Sequence, residues 1–538
     1  MFHDSPPTGR RAIRLWWKAD PPPEESFMIH GPCFTQMTLL IKNVQVVGSD
    51  QKLPAKLDVF VSGDKITALG RFPGKTADKI IDGQGAYLSA GFIDLHTESD
   101  HYLSLFSNPS QVDFLKQGIT TIIGGLCGAS LAPLIYGSLE SLEEWTDTRE
   151  INVDWHSVQE FLRLMDKKPL GVNFGTLIGH STIRGALIGK PPRTLTKNEL
   201  NVFGETLKRA LGEGGFGLST GLGYAQTKDT PYAELKALTT IVKNLGGIYS
   251  THLRNDSDNL LDSIEETIKL TKETGIKTIV SHLIPTENHE VAYEKTLENI
   301  NSLDEKTDLH FSVYPSNTRI LKLYTFLPGW AQKDNLKVMN LSLEDEWLRS
   351  KILKDLPEVK PSDFLVAQAP GNDSLVGYTL TEIKKLYSLK SYKESLLKLM
   401  ISTKLQATIY YQNINRDLIK KALKSNRSLV VSNAASIAPN NRIKILKPDR
   451  AVSAFPKFLS LVEEENILDL ETAVKKITST PAEILGLIGR GAVKEGYFAD
   501  LVGFRDNRVN FVVVNGQVAI EDGEYTGLRL GKILRHKT

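Results

Sequence analysis

Ile248-Tyr249-Ser250-Thr251-His252 and Thr278-Ile279-Val280-Ser281-His282 each run through apolar and small residues and stop at a histidine. Ile122-Ile123-Gly124-Gly125-Leu126-Cys127 has the same character and stops at a cysteine. Each reads as a buried strand whose last residue is a soft or borderline metal ligand. A thiolate and two imidazoles meeting at one point suit zinc, and three protein ligands leave open the fourth position that catalytic zinc needs. Water bound there has a pKa of about 7 and becomes a nucleophile. A fourth stretch, Gly91-Phe92-Ile93-Asp94-Leu95-His96-Thr97-Glu98, ends in His-x-Glu and can serve a second metal or a water.

Working outward, strand candidates end at His96, Cys127, His180, Thr220, His252, His282, Tyr314 and Ser432. Segments with apolar residues at spacings of three and four lie between most of them, as at 198–211, 231–244, 256–274 and 415–425. Eight strands alternating with helices predict an α/β fold, a closed (β/α)8 barrel with its functional groups at the C-terminal strand ends. The histidines and the cysteine fall at those ends. About a hundred residues separate Tyr314-Pro315 from the last strand, too many for a simple connection. They predict an insertion at about 318–405 over the barrel mouth, suited to act as a lid or substrate wall.

The two ends of the chain differ from this middle. Short strands and tight turns fill 37–87, and the same pattern returns over 486–538, so the ends are expected to pair into one small β-sandwich around a barrel at 88–485. Residues 1–36 carry six prolines and no hydrophobic period. They read as a disordered extension or a start codon placed too early, with Trp16-Trp17 as the one apolar knot that a docking tail would use.

The chain has 538 residues, enough for one large and one small domain. Its 65 basic and 63 acidic residues leave a net charge of +2, and no basic stripe stands out, so no nucleic-acid partner is expected. No apolar run is long enough to span a bilayer, so no membrane partner is expected either. Cys33 and Cys127 are the only cysteines, which fits a reducing, cytoplasmic setting where a thiol serves as ligand or nucleophile. A lone cysteine is often a small buried hydrophobe. A cysteine nucleophile with a histidine partner is the other catalytic use, but no local signature of a cysteine hydrolase surrounds Cys127.

These stretches, with Ile178-Gly179-His180, Leu218-Ser219-Thr220-Gly221-Leu222-Gly223-Tyr224, Thr251-His252-Leu253-Arg254, Leu327-Pro328-Gly329-Trp330-Ala331 and Gly496-Tyr497-Phe498-Ala499-Asp500, carry a resemblance. From Met37 onward the sequence is similar to the amidohydrolase superfamily, and within it to the N-acyl-D-amino-acid deacylases, or D-aminoacylases. The resemblance implies a zinc held by Cys127, His252 and His282, with the thiolate where many relatives have a carbamylated lysine. It implies that Tyr224 contacts substrate, a residue that can equally pack.

The pattern departs from the family at four places. His-x-His on the first strand is His96-Thr97-Glu98 here, and glutamate also ligates zinc. The family aspartate on the last strand, its general acid and base, is Asn433 here. Losing acid–base help costs roughly 10² to 10⁴ in rate, about 3 to 5 kcal/mol. Glu98 is the nearest substitute, and Asp100 and His101 are further ones. Ser-His-Leu-Lys becomes Ser281-His282-Leu283-Ile284, and Tyr-Pro-Tyr becomes Tyr314-Pro315-Ser316. Arg254, Arg319 or Arg450 would supply a positive charge for a substrate carboxylate, with Tyr314 and Tyr224 beside it.

The expected activity is zinc-dependent hydrolysis of a linear amide C–N bond in a small-molecule substrate such as an acylated amino acid. One Zn²⁺ is expected, with a degenerate second site at His96 and Glu98. The alternative is a binding protein on the same scaffold, keeping the Cys-His-His metal without turnover. Cyclic amides or imides are the remaining substrate class.

Overall fold

The apolar runs become parallel strands in the computed structural model, which describes residues 37–538 except 50–53, 55, 143–144, 147, 149–150, 190–191, 225, 333–335, 439–443 and 538. The extension expected at 1–36 lies outside the described residues. Eight barrel strands follow in chain order. They are Phe92–Asp94, Ile119–Gly124, Asn173–Thr176 with its continuation Ile178–Gly179, Gly217–Gly221, Ile248–His252, Thr278–Val280, Leu309–Val313 and Ser428–Val430. Registers such as Ile122↔Phe174, Ser219↔Gly179, Gly221↔His252, Val280↔Phe311 and Val313↔Val430 run around the ring. Every residue of the second and fourth strands is buried, as parallel strands covered on both faces require.

The ring closes between the eighth strand and the first through Asp94. One of its carboxylate oxygens accepts the Ser432 N–H at 3.0 Å, and the other accepts the His96 N–H at 3.1 Å. The Asn433 N–H then reaches the His96 carbonyl at 2.9 Å, and the Glu98 N–H reaches the Ala434 carbonyl at 2.8 Å. A carboxylate with no solvent exposure thus stitches the seam on which His96 and Asn433 sit. Burial raises its pKa to about 7 against the pull of those donors.

Helices cover the barrel with their apolar stripes inward. On Lys197–Gly212, Phe203, Leu207 and Leu211 fall four apart and are fully buried, each contributing about 1.5–3 kcal/mol by burial. The helix starts at a capping box. Thr196 accepts the Glu199 N–H and Glu199 accepts the Thr196 N–H, a device that stabilises by about 1 kcal/mol.

Strands from both chain ends share one nine-stranded sheet. The junction is the antiparallel pair of Tyr87–Ala90 with Leu501–Arg505, where Leu501 faces Ala90 and Gly503 faces Leu88. A buried polar network ties this sheet to the barrel. Asp500 ion-pairs with Arg490 and accepts from the Asn515 N–H at 2.7 Å and from Asn173 Nδ2 at 3.0 Å. Asn173 opens the third barrel strand.

Between the seventh and eighth strands the chain builds a three-stranded antiparallel sheet, Thr318–Lys322, Thr408–Gln412 and Phe364–Gln368, with Thr408–Gln412 central. Helices Leu336–Glu344, Glu346–Asp355, Leu380–Leu386 and Tyr392–Ser402 accompany it. It has its own core, including Leu323, Phe364, Leu396, Met400 and Ile409. Among the described residues no helix is long and apolar enough to cross a membrane.

Candidate metal centre and active site

The ends of the barrel strands turn sharply. Cys127, His282 and Asn433 take left-handed backbone, at φ 49°, 34° and 46°. Such conformations are costly for residues other than glycine, and here they redirect side chains at the C-terminal mouth. Cys127 Sγ lies 3.6 Å from His96 Nε2 and 3.5 Å from His282 Nε2. The donor atoms of these three residues all fall within 4.8 Å of one another, one group able to hold a metal ion among the described residues.

His252 stands beside this trio rather than inside it. Its ring is 4.5 Å from that of His282, nearly perpendicular, and its Nδ1 is buried without a hydrogen-bond partner. Gly223 leaves room for that ring, because a Cβ there would come within 2.8 Å of His252 Nε2. The structure therefore brings His96 to the cysteine as closely as His282, whereas the sequence reading put His252 in that role. Glu98 is not one of these three, but its charge reaches Cys127, and it lines a narrow pocket with Tyr102, Ile320, Tyr410 and Pro448.

The electrostatics suit a cation. Burial chiefly, and the charge of Glu98 after it, push the Cys127 thiol up, while the Tyr224 hydroxyl opposes them. Burial, then the neighbouring His252, holds His282 down to about 3. Burial also depresses His96 and His252. The rings are thus held neutral, as metal ligands must be, and a divalent ion would relieve the cost of ionising the buried thiol. One sulfur among imidazoles is a zinc-type donor set.

Tyr224 packs on His252, with ring centroids 4.9 Å apart, and edge-on to Trp145. His101 lies against Trp145 at 4.6 Å, and its Nε2 is 3.2 Å from the Ala129 carbonyl. Asp100 accepts the Gly125 N–H at 2.6 Å, which fixes the loop leading to Cys127.

Two of the proposed cations are engaged. Arg254 pairs with Glu266 at 2.9 Å and donates to the Lys228 and Thr230 carbonyls, pinning the loop that carries Tyr224. Arg319 pairs with Asp256 at 2.6 Å. Arg450 is different. It is 1 % exposed, and among the described residues no carboxylate contacts its guanidinium directly, although its charge acts on Glu98 and Asp449. Nε donates to the Asn433 carbonyl at 3.0 Å, Nη1 donates to the Thr318 carbonyl at 2.8 Å, and the guanidinium lies 4.4 Å over the Tyr314 ring. The side-chain oxygen of Asn433 is buried without a partner.

The sequence reading missed Asp94 and Asp256. Asp94 had a signal, a carboxylate inside an apolar strand two residues before His96. Asp256 had none, because its partner Arg319 is 63 positions away.

No family model matches the chain. It is 28% identical over 502 residues to the N-acyl-D-aspartate deacylase of Alcaligenes xylosoxydans xylosoxydans, covering 89% of this chain and 91% of that protein. A crystal structure of a D-aminoacylase, described as defining a novel subset of amidohydrolases, superposes with a TM-score of 0.74 at 25% identity over 92% of this chain and 99% of that one. The fold also matches an N-acyl-D-glutamate deacylase from Bordetella bronchiseptica, complexed with zinc and a phosphonate mimic of the tetrahedral intermediate. There the TM-score is 0.75 at 23% identity, over 93% of this chain and all of that one.

Proposed function

We propose that this chain is an amidohydrolase of the D-aminoacylase kind, and that it hydrolyses the amide bond of an N-acylated amino acid, of D configuration as in the names of its relatives. Water adds across the C–N bond, and the products are a carboxylate and a free amino acid. The convergence of Cys127, His96 and His282 within 4.8 Å, with His252 against them, is the observation that carries this reading.

Cys127, His282 and His96 or His252 would hold zinc. When bound, zinc supplies Lewis-acid activation of the water and of the acyl carbonyl. The chain's own groups do the rest. Arg450 places a positive charge beside Asn433, held at short range by carbonyls rather than by a paired carboxylate, and suits the amino-acid carboxylate. The unpartnered Asn433 oxygen accepts the substrate amide N–H and orients it. It cannot deliver a proton to the leaving amine, so turnover is expected to be slow. Tyr224, with Trp145 behind it, packs on His252, and Tyr410 and Ile320 of the inserted sheet line a narrow pocket with Glu98. A cytoplasmic setting keeps the free Cys127 reduced.

The partnerless Asn433 oxygen equally favours a second reading, a binding protein that captures the amide without cleaving it. Turnover of N-acetyl D- and L-amino acids by the zinc-loaded protein, with Cys127→Ala as control, separates the two. Release of free D-amino acid that the variant abolishes supports hydrolysis. Stoichiometric binding of the same compounds with no product supports capture.

A further inference from the structure

A histidine that ligates a metal usually donates its second ring N–H to a carboxylate or carbonyl, and that bond fixes the ring. His252 has no such bond. Its Nδ1 is buried without a partner, and among the described residues neither ring nitrogen is hydrogen-bonded. Packing holds the ring instead. The Tyr224 ring lies 4.9 Å away on one side, and the His282 ring stands nearly perpendicular at 4.5 Å. Gly223 passes so close that a Cβ there would come within 2.8 Å of Nε2. Gly223 and Tyr224 both belong to the turn that follows the fourth strand, so the placement of that turn decides how His252 is oriented.

The turn is anchored from both flanks by arginines that grip its main chain. From the side of the fifth strand, Arg254 donates to the Lys228 carbonyl and, at 3.2 Å, to the Thr230 carbonyl. Its Nε and Nη2 hold Glu266 at 3.1 and 2.9 Å, which ties the turn to the helix Leu260–Thr274. From the side of the third strand, Arg184 donates to the Gln226 carbonyl at 3.4 Å and to Glu234 at 3.1 Å, in the helix Tyr232–Asn244. Inside the turn the Lys228 N–H donates to the Tyr224 carbonyl at 2.8 Å, so the grip on Lys228 passes directly to the tyrosine. A planar guanidinium can satisfy a carboxylate and two carbonyls at once, which an ammonium cannot do in the same geometry.

Resting on the zinc reading above, we infer that Arg254 is a positioning residue of the metal centre. Through the turn it holds Tyr224 against His252, and so sets the orientation in which His252 meets the ion. Arg184 is the opposing anchor of the same turn.

Zinc affinity of the full-length protein, measured by competition with a chromophoric chelator, tests this without turnover. Arg254→Met and Tyr224→Ala are each expected to weaken zinc at least about tenfold, the scale on which outer partners of a ligand act. The double variant is expected to match Tyr224→Ala within about threefold, because Arg254 acts through the tyrosine. The cobalt form of Arg254→Met is expected to lose intensity in its visible tetrahedral bands. A residue that only stabilised the fold would lower the unfolding midpoint and leave the affinity and the bands of the folded protein unchanged. Where Arg254→Met fails to fold, Arg254→Lys enters the same cycle, since it keeps a charge for Glu266 and loses the fork onto the carbonyls.

Wild-type zinc affinity in the folded Arg254 variant overturns the inference. So do effects that multiply in the double variant, which would mean that Arg254 reaches His252 by a route of its own. A wild-type protein that binds no zinc removes the metal centre and the inference together. Zinc binding that follows the predicted cycle without any turnover leaves the inference standing and removes the hydrolase reading alone.

Discussion

Replacing Asn433 by aspartate returns a proton carrier to the mouth of the barrel with almost no change in shape. The structure favours tolerance of the substitution. The Asn433 side-chain oxygen has no hydrogen-bond partner to lose, and the contacts that fix the residue come from its backbone. The neighbouring Arg450 guanidinium favours the ionised carboxylate, which is the form that accepts a proton from water. General acid–base help contributes roughly 10²–10⁴ in rate, or about 3–5 kcal/mol of barrier. Because the new carboxylate sits in a site only 8 % exposed, desolvation takes back part of that gain. We expect kcat to rise by at least about tenfold, with KM changed by no more than a few-fold. The assay is steady-state release of free amino acid from N-acetyl-D-glutamine and N-acetyl-D-leucine, with zinc content measured on the same samples. Asn433→Ala controls for the loss of the amide. An unchanged kcat at equal zinc content would refute the reasoning, since it would mean that the substrate amide is not presented beside residue 433.

Other perturbations have equally definite outcomes. Arg450→Met leaves the Asn433 and Thr318 carbonyls unpaired in a buried site, so it should cost about 2–5 kcal/mol in denaturant unfolding, while Arg450→Lys should keep most stability and raise KM for carboxylate substrates. Asp500→Ala strands Arg490 between the terminal sheet and the barrel and should cost about 3–5 kcal/mol by the same measurement. Glu199 is held at a pKa of about 2, chiefly by Arg193 and then by the Thr196 cap. Its contribution should be fully present above pH 4.5 and fade as the pH falls toward 2, so the stability gap between wild type and Glu199→Gln should close over that window.

Much of the barrel was legible because buried parallel strands write themselves as apolar runs. The histidines and the cysteine ended those runs at the face where barrel chemistry occurs. The choice between His96 and His252 as close neighbour of the thiol was not legible. It depends on the left-handed turns at Cys127 and His282, which set side-chain direction after the strand and leave no periodic trace. Arg254 and Arg319 looked like free cations for a similar reason. Their partners Glu266 and Asp256 reach them only once the loops have folded over the mouth. Arg450 stood in a run whose helical continuation, Arg450–Glu465, gives no hint that its first side chain turns back under Tyr314.

Whether Cys127 ligates the metal is best read from the cobalt-substituted protein. A thiolate bound to Co²⁺ gives a ligand-to-metal charge-transfer band in the near ultraviolet, alongside the visible bands of a tetrahedral site. The full-length protein should take up one equivalent of cobalt and show that band. The band should vanish in Cys127→Ser and persist in Cys33→Ser. A protein that binds no stoichiometric metal, or a charge-transfer band that survives Cys127→Ser, would contradict a metal centre built on this cysteine.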